Sequence, residues 1–275
     1  MTTARQDAAT GADTVRQVVV VVSLLVAIGG GVIGSGALGG TPIAEAAGGA
    51  LSADATLIAP AGPAFSIWSV IYLGLAAYAV WQLLPGQRAS ERQRRLGYPV
   101  AASLLLNAAW ILSVQAGLLW LSVVVIVLLL VVLAIAFRIC VRRQPTGWVE
   151  AIVVDGVIGL YLGWVCVATA ANTAAWLTDV GFDGWGLNPD AWGVIVVAVA
   201  ALVGIGLAVG GRGRLSPAVS LGWGLSWVAV GRLTGEPYSV SVGATAIAAV
   251  VAVVTITAFV RLRWAPPGSN RRPAD

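Results

Sequence analysis

Histidine is absent from the 275 residues, lysine is absent from the 16 basic ones, and cysteine occurs only twice. These gaps exclude imidazole chemistry and multi-cysteine metal sites. Charge is also scarce: 10% of residues carry it, where soluble domains carry about 25%. Without clustered carboxylates, or a nucleophile beside a base, the chain offers no site for dedicated acid–base catalysis. What fills the space is apolar, with 59% hydrophobic residues and a mean hydropathy of +0.90, the composition of a chain that resides in a bilayer. Cys140, near a basic membrane edge, and Cys166, inside an apolar run, read as two unpaired small residues. The pI of about 9.6 does not point to nucleic acid, because the arginines are scattered between apolar segments.

A helix needs ~20 apolar residues to cross a ~30 Å hydrocarbon core. Eight runs approach that length, at about 17–38, 63–84, 97–116, 118–139, 150–177, 192–211, 215–233 and 239–260. The seventh is the weakest, being short and broken by Gly222 and Gly224. Charge placement retains it. Arg5 and Arg16, Arg88 to Arg95, Arg138 to Arg143, Arg212 and Arg214, and Arg261 to Arg272 fall on alternate connections. Glu45, Asp54, Asp179, Asp183, Asp190 and Glu236 collect on the others, with Arg232 as the one basic residue there. The positive-inside bias then puts both termini in the cytoplasm, and deleting the seventh span would expel the C-terminal arginines. The first run also reads as a signal sequence, since basic residues precede it and small residues follow; the topology of the remainder is the same either way. The glycines at 29, 30, 31, 34 and 36 permit a close helix neighbour, in the same chain or in a second copy forming a homodimer.

Tryptophan is abundant, at 12 residues. Trp81, Trp120, Trp148, Trp176, Trp185, Trp192 and Trp264 fall near span ends, as interfacial belt residues do. Trp68, Trp110 and Trp164 lie deeper. At ~100° per residue, Phe65, Trp68 and Tyr72 share one face of the second span, Asn107 and Trp110 neighbour each other on the third, and Tyr161, Trp164, Ala168 and Asn172 share a face of the fifth. With ~1.5 Å rise per residue and alternating direction, the three stripes meet in the external half of the bilayer. Such a meeting predicts an apolar cavity with a few polar groups to orient a ligand. A core filled by the aromatics, with the two asparagines bonded across helices, fits the same spacing. The loops 39–62 and 178–191 are placed to cover the mouth.

The segments "PAGPAFSIWSVIY" (60–72), "LNAAW" (106–110) and "LYLGWVCVATAAN" (160–172) resemble, in this order, the signature of the TspO/MBR family. These are the tryptophan-rich sensory proteins related to the mitochondrial translocator protein. The resemblance covers roughly residues 17–177 and is closest to longer members that append further helices. It implies an all-α integral membrane protein of about eight transmembrane helices. A five-helix bundle at 15–177 would be followed by an acidic external loop at 178–191 and three additional helices at 192–264, with cytoplasmic tails at 1–14 and 265–275. By resemblance, Phe65, Trp68, Tyr72, Asn107, Trp110, Tyr161, Trp164, Ala168, Thr169 and Asn172 line or support a pocket for a flat hydrophobic ligand, a porphyrin or other tetrapyrrole. The role implied is sensing or transport in the cell membrane. The expected partners are the bilayer and a hydrophobic small molecule, with no required cofactor and no nucleic acid. Enzymatic activity is not implied, with photo-oxidation of a bound porphyrin left open. Without histidine, any haem would lack an imidazole ligand.

A proton-coupled secondary transporter is the competing reading, with Asp155 as its coupling carboxylate. The plainer assignment of Asp155 is to headgroup water or to a pair with an arginine such as Arg138 or Arg142. Glu150 reads as solvated, and Arg232 as an exposed partner of Glu236.

Overall fold

The computed structural model describes residues 9–37 and 40–264. The tail 265–275, with Arg271 and Arg272, lies outside them, as does Arg5. Eight long helices account for most of the described chain. They are α1 (Gly11–Gly34), α2 (Ile67–Trp81), α3 (Glu91–Gln115), α4 (Leu119–Arg142), α5 (Val157–Asp179), α6 (Pro189–Gly210), α7 (Leu215–Thr234) and α8 (Val240–Trp264).

Several helices begin ahead of their apolar runs, because polar side chains close their first turns. Asp13 accepts from both the backbone N–H and the hydroxyl of Thr10, and Arg94 bonds the same carboxylate. These contacts fix Gly11 as the start of α1, so residues expected in the N-terminal tail are helical. A 3₁₀ turn, Gly62–Ser66, leads into α2 with Pro63 at its first turn, where a missing N–H is harmless. The helix over Trp148–Glu150 passes through a π turn, Ala151–Gly156, before α5 continues.

Packing runs α1 on α3, α3 on α4, α4 on α5, α5 on α7, α7 on α8 and α8 on α6, while α2 lies against α1 and α5. One buried apolar cluster extends from Val20 and Leu24 of α1 to Val242 and Val253 of α8. Among the described residues, seven helical spans are long and apolar enough to cross a membrane, α2 counted from Gly62 and α5 from Trp148; α7 has the length, at 20 residues, but not the hydropathy. Most of its polar and small residues do not face lipid, and exposed Ser226 donates to the Gly222 carbonyl of its own helix at 2.7 Å. Ser220, Gly222 and Gly224 are buried, and a helix shielded by protein does not require an apolar surface. Large apolar side chains left exposed, such as Leu25, Leu73, Leu128, Leu202 and Val251, give the bundle the outer surface of an integral membrane protein.

The glycine-rich face of α1 turns inward. A Cβ on Gly30 would sit 3.3 Å from Ala108 and one on Gly34 2.9 Å from Ile111, both on α3, while Gly31 faces the Tyr72 hydroxyl. The close neighbour of Gly30, Gly31 and Gly34 is therefore the same chain, while Gly29 has nothing within 4 Å of its added carbon.

Candidate functional site

The three aromatic stripes converge. Trp68 is the hub, its ring centroid 6.2 Å from Trp164, 5.8 Å from Tyr161 and 5.8 Å from Tyr72; Phe65 meets Trp164 at 5.9 Å. The contacts to Trp164 and Tyr161 are edge-on, with interplanar angles of 73–85°, the favoured aromatic geometry.

Polar groups fix this cluster from two sides. Trp110 Nε1 donates to Asn172 Oδ1 at 2.8 Å, and Asn172 Nδ2 donates to Ser122 Oγ at 2.9 Å. Asn107 Nδ2 donates to the Tyr72 hydroxyl at 2.6 Å, which itself donates to the Ala27 carbonyl at 3.1 Å. These bonds join α1 to α5 through side chains that sequence spacing alone had put on separate helices.

A cavity lies beside the cluster. Its walls are Phe65 from the 3₁₀ turn, Trp68 from α2, Asn107 and Trp110 from α3, Ile126 and Leu129 from α4, and Trp164, Val165, Val167, Ala168, Ala171 and Asn172 from α5. Ala50, Leu51, Thr56, Ala59 and Pro60 of the α1–α2 loop complete it. No charged side chain is among these walls. Three buried polar atoms on them have no hydrogen-bond partner among the described residues: Thr56 Oγ1, Asn107 Oδ1 and Trp164 Nε1. One is an acceptor, one a donor and one either. The free volume is about 40 Å³, room for a few water molecules at ~10–15 Å³ each. A macrocycle requires the walls to move apart.

Seven of the ten residues implied by resemblance line this cavity: Phe65, Trp68, Asn107, Trp110, Trp164, Ala168 and Asn172. Tyr72, Tyr161 and Thr169 do not. Tyr72 turns toward Gly31 of α1, Tyr161 reaches back to the Ser103 carbonyl at 3.4 Å, and the Thr169 hydroxyl bonds Val165 one turn earlier in its own helix at 2.7 Å. The aromatic wall at the mouth is thus Phe65 and Trp68, with Tyr72 and Tyr161 supporting Trp68 from behind. Of the two loops placed to cover the mouth, the one after α1 lines the cavity and 178–191 contributes nothing to it. Ile126, Leu129 and Ser122 of α4 carry no motif, and their part follows only from packing.

At the arginine-rich end of the bundle the charge pairing differs from expectation. Asp155, 4% exposed, sits within the π turn and pairs with Arg92 at 2.5 Å and with Arg214 on the other side, rather than with Arg138 or Arg142. Arg92 and Arg214 reach it because α3 and α7 flank α5 there, and Arg214 also bonds the Cys140 carbonyl at 2.9 Å. Glu150 is not solvated. It is 2% exposed, pairs with Arg92 at 2.8 Å and accepts from the N–H and hydroxyl of Thr146, both at 2.8 Å. Arg232 is buried as well, and bonds the Glu236 backbone carbonyl instead of forming an exposed ion pair. Cys140 and Cys166 are free and buried.

A family model described as TSPO-like protein matches residues 17–258, a stretch that reaches from α1 into α8 and so includes the helices beyond 177. No curated protein and no solved structure matches the chain.

Proposed function

The chain belongs to the TSPO-like protein family and is a membrane protein of the TspO type, and from that premise we propose that it is a non-enzymatic receptor or carrier for a hydrophobic small molecule held in the cavity at the start of α2. The observation that carries this reading is the set of unpartnered atoms on an otherwise apolar wall, Asn107 Oδ1, Trp164 Nε1 and Thr56 Oγ1. Buried polar atoms are ordinarily satisfied, and a ligand with one acceptor and one donor would satisfy these. Aromatic edges and faces from Phe65, Trp68 and Trp164 supply the apolar contact. A tetrapyrrole is the ligand class that the family resemblance suggests, and its size requires the α1–α2 loop to swing outward before it enters. On the positive-inside bias, the arginine-rich end and both termini would face the cytoplasm of a cell-membrane protein, and the cavity would open toward the outside.

Titration of the purified protein with protoporphyrin tests the reading. Saturable quenching of tryptophan fluorescence is expected, weakened in Trp68→Ala and Trp164→Ala beyond the loss of the fluorophore itself. Equal affinity in both variants would place binding elsewhere. The proton-coupled carrier reading has less support, because Asp155 is held by ion pairs to two guanidinium groups and is not on the cavity wall.

A further inference from the structure

The loop that closes the cavity is tied to α7, a helix that carries none of the three motifs. Arg232 is 1% exposed and directs its guanidinium at backbone carbonyls: Nη1 donates to Thr56 at 3.0 Å, and Nη2 to Ala53 at 2.8 Å and to Glu236 at 3.1 Å. Further along α7, the Trp227 carbonyl accepts from the Ala61 N–H at 3.1 Å. Trp223 Nε1 donates to the Ala64 carbonyl at 2.9 Å. The stretch 53–64 therefore runs beside α7 from residue 232 back to 223, anchored at each step, and Thr56, Ala59 and Pro60 on that stretch form a cavity wall.

We propose that α7 latches this loop shut, with Arg232 as the positioning residue, so that the C-terminal helices set how fast a ligand enters and leaves. The inference rests on the pocket reading above. The free volume is too small for a large ligand, so the loop must move, and the bonds that hold its second half belong to α7. Closure strips water from a charged side chain, and the carbonyls replace the bonds that are lost. A planar fork with several donors in fixed directions can meet diverging carbonyls; a lysine, with its compact ammonium, cannot meet them in the same geometry. The charge alone is not what holds the loop.

Hydrogen exchange on the full chain in nanodiscs, without ligand, tests the latch directly. Arg232→Gln and Arg232→Lys are each expected to speed amide exchange over 53–61 by about tenfold or more, the scale of losing hydrogen bonds to a charged donor, with α3 and α5 amides unchanged. Trp223→Phe keeps the ring packed on Trp227, 5.6 Å away, and is expected to shift the same amides less. It decides the matter alone if the Arg232 variants do not fold. Unchanged exchange in the folded variants overturns the latch. Protoporphyrin release, followed by recovery of tryptophan fluorescence, is expected to accelerate in step with exchange; release at the wild-type rate from a loosened loop overturns the control of ligand traffic. Faster exchange with no protoporphyrin quenching in any of the proteins leaves the latch standing and removes the pocket reading.

Discussion

Trp110 Nε1 donates to Asn172 Oδ1 at 2.8 Å, joining the aromatic motif of α3 to that of α5, and the same carboxamide holds Ser122 of α4. Three helices meet at one side chain that is 1% exposed. Asn172→Leu would leave the Trp110 indole N–H without its partner in a region of low dielectric and would remove the donor to the Ser122 hydroxyl, which keeps its bond to the Leu119 carbonyl at 2.7 Å. Interhelical hydrogen bonds in membranes contribute ~0.6–2 kcal/mol each, so a loss of about 1–2 kcal/mol is expected in equilibrium unfolding from mixed micelles. Trp110→Phe should act in the same direction. The double variant should lose less than the two losses added, because both remove one shared contact.

Close approach of α5 and α7 depends on two glycines. A Cβ on Gly159 would lie 2.0 Å from Ser216 Oγ, and one on Gly163 2.2 Å from the Pro217 carbonyl oxygen. The second obstacle is backbone, which cannot rotate away. Gly163→Ala is expected to separate the helices and destabilise the protein by ~1–3 kcal/mol. Gly206→Ala, with nothing within 4 Å of its added carbon, is expected to be neutral or to stabilise by up to ~1 kcal/mol, since helical glycine is itself unfavourable. Thermal unfolding of the two variants side by side measures the contrast.

The helices are legible in the sequence because apolar length and alternating arginines are local properties. Even α7, whose hydropathy is low, is recovered from charge placement; its Ser220 and Gly224 become intelligible only once α5 is seen packed on them. Helical spacing also finds Phe65, Trp68, Trp110 and Trp164. It cannot separate Trp68 from Tyr72, because the two share a face and only the presence of Gly31 on α1 draws Tyr72 away from the cavity. Charge partners are the least legible. Position along the chain tells at which end of the bundle an arginine lies, and so it offers Arg138 and Arg142 to Asp155 as readily as Arg92 and Arg214. The choice depends on which helices flank α5, a property of packing between residues 63 and 59 apart in sequence.

Asp155→Asn tests the cluster at the arginine-rich end. It leaves Arg92 with Glu150 as its remaining carboxylate and Arg214 with only neutral partners, the Cys140 carbonyl and Gln144. Removing one member of a buried ion pair typically destabilises by ~3–5 kcal/mol, and a drop of that order is expected in chemical unfolding. Arg214→Gln combined with Asp155→Asn should recover part of it, as the orphaned charge is removed. If Asp155 instead serves as a proton acceptor in transport, the single variant will abolish pH-gradient-driven uptake in vesicles while unfolding at the wild-type denaturant concentration.

Filling the cavity distinguishes a ligand chamber from a packing defect. Ala168 stands on the cavity wall, and the free volume beside it is about 40 Å³. Leucine adds three carbons, which fit such a void if small shifts follow, and each buried methylene contributes ~0.8 kcal/mol. Ala168→Leu is therefore expected to leave the melting temperature unchanged or to raise it. If the void is where a ligand sits, the same change removes its place, and protoporphyrin quenching should weaken at least tenfold. Thr169→Val provides the comparison, since its hydroxyl is bonded to Val165 and lies off the cavity wall; affinity there should stay near wild type. Full binding by Ala168→Leu, or an equal loss in Thr169→Val, would mean that the cavity is only unfilled core and that the aromatic cluster serves stability alone.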